Sequence, residues 1–183
     1  SQNLRPPRDR SMLSLILTCF ESTLSEAKRR EGVVRSLASL VPCVVEGIVA
    51  DAALIGPQGA DLESVADEAG CALIETTDAA RGLGAALARA RCPHVLLLSA
   101  GYAVHAGFSD AARDLLAFGG LAQARVLRLE PNSVLTRLAP GLARPVGVLA
   151  TKQALLSARS TSPGAIARQL RAAEFSAMAR RAV

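Results

Sequence analysis

The chain has 183 residues, half of them hydrophobic, with 21 Lys and Arg against 16 Asp and Glu, four Phe, one Tyr and no Trp. That length carries one α/β domain with a substantial core and is short for two. A net charge of +5 invites thought of nucleic acid, but single-strand binding relies on aromatic platforms that this composition scarcely supplies.

Residues 1–12 read as a polar, Pro-containing lead-in to a single domain over 13–183. Leu13 to Thr18 is apolar on both faces, as a central parallel strand should be. Ser22, Thr23 or Ser25 then caps a helix to about Leu40, with an apolar stripe at Leu24, Ala27, Val34, Leu37 and Leu40, and Pro42 ends it. The second strand is expected over Val44 to Asp51, followed by the turn-rich IGPQGAD and a short helix from Asp61 to Ala69 that Gly70 closes in the left-handed conformation.

Cys71 to Glu75 forms the third strand. Asp78 is available to cap a helix beginning near Gly82 or Gly84, and His94 to Leu98, the most hydrophobic run, is expected at the centre. Strands and helices alternating in this way imply right-handed crossovers and a mostly parallel sheet. Further on, Phe108 to Phe118 reads as a helix, Ala124 to Leu129 as an edge or half-exposed strand, and Val146 to Ala150 as another strand. Pro163 to Arg181 reads as a terminal helix with Ser162 as its cap.

Cys19, Cys43, Cys71 and Cys92 are far apart and lie in or beside apolar runs, which fits buried free thiols rather than a metal knuckle or a redox pair. No apolar run approaches the roughly 20 residues that span a bilayer. LSLILTCF is shorter than a secretory core with its cleavage site, and Glu21 and Glu26 follow at once, so a cytoplasmic protein is expected. Residues 125–183 hold 10 basic groups and only Glu130 and Glu174 as acids. Such a tail could face phosphates, anionic lipid or an acidic partner, but it reads first as a solvated Arg-bearing helical face.

With these elements placed, the chain resembles the family-2 glycosyltransferases of the nucleotide-diphospho-sugar (GT-A) type. The resemblance is carried by LSLILTCFES, VVRSLASLVP, EGIVADAAL, the stretch from Val65 to Gly101, and RPVGVLATKQALLSA. It implies a single-domain, three-layer α/β sandwich with ligands at the carboxyl edge of the sheet. It also implies a nucleotide pocket around Thr18 and Glu21 after the first strand, Asp51 after the second, and Arg81, Gly82 and Gly84 at a helix entry whose amides attract anions.

Two groups that the resemblance calls for are missing from the sequence. Where a carboxylate cluster would hold Mg²⁺ or Mn²⁺ against the departing diphosphate stand Ser99, Ala100, Gly101 and Tyr102. A metal would require a site rebuilt from other residues, and His105, the nearest substitute, reads as an ordinary surface side chain. Where a carboxylate base would precede a late helix stand Ser162, Pro163, Gly164 and Ala165.

No other catalytic motif fills the gap. Leu97 occupies the first Gly of a nucleophile elbow around Ser99, and RGLGAA is not a dinucleotide fingerprint. The expectation is a glycosyltransferase-like protein that keeps a nucleoside diphosphate or nucleotide-sugar pocket, with impaired transfer and Arg81 in place of a metal. The alternative is a non-catalytic scaffold on the same fold, with a protein partner or a homodimer.

Overall fold

Leu13, Leu15 and Leu17 point to one face of the first strand and Ile16 to the other, and the fourth strand divides Leu96 and Leu98 from Val95 and Leu97 in the same way. This period-2 division of fully apolar strands requires cover on both faces. The computed structural model, which describes residues 12–20 and 25–182, supplies it with helices on each side of one eight-stranded sheet.

The first half runs β1 (Leu13–Thr18), α1 (Glu26–Val45), β2 (Val49–Gly56), α2 (Glu63–Ala69), β3 (Ala72–Glu75), α3 (Ala79–Arg89) and β4 (His94–Ser99). The second runs β5 (Tyr102–Val104), α4 (Phe108–Ala117), β6 (Arg125–Leu129), α5 (Val134–Leu138), β7 (Pro145–Thr151), α6 (Lys152–Leu156), α7 (Pro163–Gln169) and β8 (Ala173–Arg181). The strand order is β3-β2-β1-β4-β7-β6-β8-β5. β1 to β4 are mutually parallel, β7 runs against both β4 and β6, and β8 runs with β6 and against β5. The result is a mostly parallel α/β sandwich.

Val33 and Leu40 of α1 and Phe108 of α4 fill one face of the core, and Ala86 and Leu87 of α3, Leu155 of α6 and Ile166 of α7 fill the other. Each fully buried Leu or Ile contributes about 1.5–3 kcal/mol. Phe108 and Phe175 meet edge to face, with centroids 5.6 Å apart.

The structure corrects several sequence expectations. Pro42 does not end α1, which continues to Val45; its last turn is held by buried Cys43, whose Sγ lies 3.2 Å from the Ser109 hydroxyl of α4. β2 therefore begins at Val49 and ends at Gly56, not at Asp51. α3 begins at Ala79, ahead of both glycines, because Asp78 accepts the amides of Ala80 and Arg81. Residues Pro163 to Arg181 are not one helix: α7 stops at Gln169, Arg171 takes a left-handed φ of 47°, and β8 follows. β8 covers β6, so β6 lies inside the sheet with only Arg125 and Arg128 partly exposed along it. Ser162 stands at the N-cap of α7 without a side-chain capping bond.

The shift of β2 relocates Asp51. It is the third residue of its strand and lies beside Ser14, the second residue of β1, at the amino edge of the sheet. Ser14 Oγ donates to Asp51 Oδ1 at 2.6 Å, and the amide of Arg91 donates to Oδ2 at 3.3 Å. Ser14 Oγ in turn accepts the amide of Cys92 at 3.1 Å. Asp51 thus clasps the starts of β1 and β2 to the connection entering β4. Asp51→Ala should lower stability by about 1–3 kcal/mol, because the buried Ser14 hydroxyl loses a charged acceptor; urea denaturation would read this as a lower midpoint at unchanged m-value.

Candidate functional site

At the opposite, carboxyl edge the sheet register sets Ile74, Ile55, Thr18 and Ser99 side by side across β3, β2, β1 and β4. The chain leaves this row in four segments: Cys19 and Phe20 after β1, Pro57 and Gln58 after β2, Thr76 to Asp78 after β3, and Ala100 and Gly101 after β4. Thr18 is buried, and its carbonyl accepts the amide of Ala100 at 2.8 Å. Cys19 is buried too, and its amide donates to the Ile55 carbonyl at 2.9 Å. Glu21, with Ser22 and Thr23, lies outside the described residues.

Arg81 and Gly82 stand in the first turn of α3, next to this edge. A Cβ on Gly82 would lie 2.6 Å from Ile55 Cγ2 and 2.8 Å from Thr76 Cγ2, so the glycine lets the helix reach the end of β2. Around Gly84 there is nothing within 4 Å of such a Cβ. The amides of Ala80 and Arg81 donate to Asp78, so the anion at this helix entry is one of the chain's own carboxylates. The Arg81 guanidinium is exposed and uncommitted to that cap.

The turn after β4 is a tied structural element. Gly101 has a φ of 91°, a region that glycine enters cheaply. Its amide donates to Ser36 Oγ at 3.0 Å, its carbonyl accepts the Ala182 amide at 2.9 Å, and the Val104 amide donates to Ser39 Oγ at 3.0 Å. Ser36 is fully buried on α1. These two serines were missed as positioning groups in the sequence; their signal is the i, i+3 spacing in RSLAS on a helix stripe that faces the core.

Ser99, Ala100 and Gly101 offer no anionic oxygen, so this turn does not fit the hard-oxygen coordination of Mg²⁺ or Mn²⁺. Among the described residues no three His, Cys, Asp or Glu side chains are grouped to hold a metal ion. His105 faces Glu130, with Nε2 3.3 Å from Oε2. The Tyr102 ring lies under the Arg144 guanidinium, 5.9 Å from its carbon to the ring centroid. Of the sequence candidates, then, Thr18, Arg81 and Gly82 come to one edge, Gly84 sits further along α3, and Asp51 belongs to the other edge.

All four cysteines are free, but Cys71 is only half-buried, unlike the other three. Burial pushes the Cys19 thiol up to about 12, against a smaller opposing pull from Arg29. Among the described residues no helix is long and apolar enough to cross a membrane.

No family model and no curated protein matches the sequence. Solved structures do match the fold. Glucosyl-3-phosphoglycerate synthase of M. tuberculosis is 18% identical, with a TM-score of 0.57 over 90% of this chain and 69% of that one. A mannosyltransferase from Pyrobaculum calidifontis, in complex with GDP-Man and Mn²⁺, is 14% identical, with a TM-score of 0.60 over 93% of this chain and 56% of that one. The inositol-1-phosphate CTP transferase from T. maritima is 11% identical, with a TM-score of 0.53 over 93% of this chain and 89% of that one. The fold is that of the nucleotide-diphospho-sugar transferases.

The two glycines of α3 should respond in opposite directions. Gly82→Ala should cost about 1–3 kcal/mol through overpacking, whereas Gly84→Ala should be neutral or stabilise by up to about 1 kcal/mol; thermal melts of the pair would separate them. Because folded Cys19 keeps its proton to about pH 12 and the unfolded thiol loses it near 9, its contribution to stability is intact below pH 9 and declines above it. The slope is up to about 1.4 kcal/mol per pH unit, and urea denaturation across pH 9 should show a shallower decline in Cys19→Ala.

Proposed function

We propose that this chain is a glycosyltransferase-like protein that keeps a nucleotide or nucleotide-sugar pocket at the carboxyl ends of β1, β2 and β3, with little or no sugar-transfer activity. The observation that carries this reading is the turn after β4. Its side chains bring no anionic oxygen, and its backbone groups are committed to Ser36, Thr18 and Ala182. A turn of this composition supplies no hard-oxygen ligand set for a cation that would offset the charge developing on a leaving diphosphate.

Thr18 and Glu21 contact the nucleotide in this reading, and Arg81 holds the diphosphate, since a guanidinium can take two phosphate oxygens at once. Gly82 contributes by bringing α3 close. Asp51 has no part, being at the far edge. GDP-Man bound to the Pyrobaculum mannosyltransferase supports a nucleotide-sugar as the ligand class.

A second reading, a non-catalytic interaction protein that forms a homodimer, is favoured by the apolar groove between α1 and α2. There Val34, Val41 and Val44 are each about half exposed.

Calorimetric titration with UDP and GDP, with and without Mn²⁺, tests the first reading. It should show binding of a nucleoside diphosphate that is indifferent to Mn²⁺ and weakened about tenfold in Arg81→Gln. No heat at about 10 mM ligand, together with a dimer by light scattering, would shift the conclusion to the second reading. Binding that requires the metal, or robust sugar turnover, would refute the account of the turn.

A further inference from the structure

A cavity of about 580 Å³ opens between the end of β6, the start of β7 and α7. Four arginines stand on its wall from different parts of the chain: Arg128 of β6, Arg144 just before β7, Arg168 at the end of α7, and Arg171 in the turn beyond it. No Asp or Glu lines it.

The four are not equivalent. Arg128 is committed: its Nε donates to both Glu174 oxygens at 2.9 Å and its Nη1 to the Ala143 carbonyl at 2.8 Å. Among the described residues no carboxylate forms an ion pair with Arg144, Arg168 or Arg171. Arg144 lies over the Tyr102 ring, an attraction that leaves its positive charge without a counter-ion. Three unneutralised like charges around one concavity repel each other and concentrate a field that an anion relieves.

The backbone that carries them is fixed. Gly164 of α7 approaches β7 so closely that a Cβ there would lie 2.9 Å from Pro145 Cγ. Arg171 holds a φ of 47°, a strained position for a side-chain-bearing residue. It is pinned on both sides, its amide donating to the Arg168 carbonyl at 3.2 Å and its carbonyl accepting Gln123 Nε2 at 2.9 Å. Charge at the carbonyl end of α7 accounts for Arg168 and Arg171 on general grounds. It does not account for Arg144, which reaches the same cavity from another element.

The rest of the wall limits the ligand. Apart from Ser162 it is small and aliphatic, with Val126, Leu142, Ala143, Ala165 and Ala167, and has no aromatic ring on which a base could stack. We infer that the cavity binds a small phosphorylated organic compound, a sugar phosphate or a phosphorylated organic acid. Arg144, Arg168 and Arg171 take the phosphate oxygens, and the carbon skeleton rests on the aliphatic wall. Thr18, Arg81 and Gly82 contribute nothing to this cavity, so the inference does not depend on the nucleotide reading.

Calorimetric titration of the full chain with fructose 1,6-bisphosphate, with inorganic phosphate and fructose as separate arms, tests it. The bisphosphate should bind more tightly than inorganic phosphate, and fructose alone should not bind. Arg168→Gln/Arg171→Gln, and separately Arg144→Gln, should each weaken the bisphosphate about tenfold or more, with UDP titrations unchanged. Arg168→Lys/Arg171→Lys should fall between, keeping charge and losing the fork. Arg137→Gln/Arg180→Gln, which removes the same charge from exposed positions elsewhere, should have little effect. No binding at about 10 mM bisphosphate, or an equal loss in the Arg137/Arg180 control, would overturn the site; equal affinity for inorganic phosphate and the bisphosphate would overturn the assignment of an organic ligand.

Discussion

The buried hydroxyl of Ser36, receiving the Gly101 amide, ties the long helix α1 to the exit of the central strand. An unpaired amide at that depth would cost about 1–3 kcal/mol, and a side chain at residue 101 would strain a backbone already at positive φ. The Ala100 amide on Thr18 and the Gly101 carbonyl on Ala182 complete the tie. Through these bonds the end of β1, α1 and the segment following β8 all meet at the point where this architecture usually places its chemistry. Here that point is occupied by hydrogen bonds the chain makes to itself.

The two edges of the sheet divide the polar work. At the amino edge, Asp51, Ser14 and the backbone around Arg91 and Cys92 form a closed set whose acceptors and donors are spent on each other. At the carboxyl edge, Asp78 consumes the first amides of α3 while leaving the Arg81 guanidinium outward. Further positive charge without a carboxylate partner gathers near α7, where the wall is mostly aliphatic and carries no acid. One fold thus holds a neutral centre flanked by two cationic places of different character.

How far the sequence can be read depends on which signals are local. β1, β4 and α4 were legible because their apolar patterns are long and their flanking turns clear, and Gly70 closed α2 with the expected left-handed φ. Pro42 misled because a proline near a helix end weakens the helix without dictating its stop; burial of Cys43 outweighed it. That single misjudged boundary carried Asp51 to the wrong edge, although ADAALIG keeps its apolar run to Gly56. β8 was hidden by Ala, a residue with high helix propensity. Yet Phe175, Ala177 and Ala179 alternate inward against outward Glu174, Ser176, Met178 and Arg180, and pairing with β6 and β5 decides for the strand. The site arginines come from elements far apart in sequence, which no local pattern brings together.

β8 lies between two strands that precede it in the chain, with Ala173 beside Arg125 and Arg181 beside Tyr102. Among the described residues β5 has no other partner in the sheet, and β6 would present an open hydrogen-bonding margin without β8. The distal half of the sheet is therefore sealed by a late insertion. During synthesis it stays unfinished until residues 173–181 have emerged. An unsealed β6 is a template for another chain's strand, so the physical hazard of this fold lies in its assembly order more than in the finished structure.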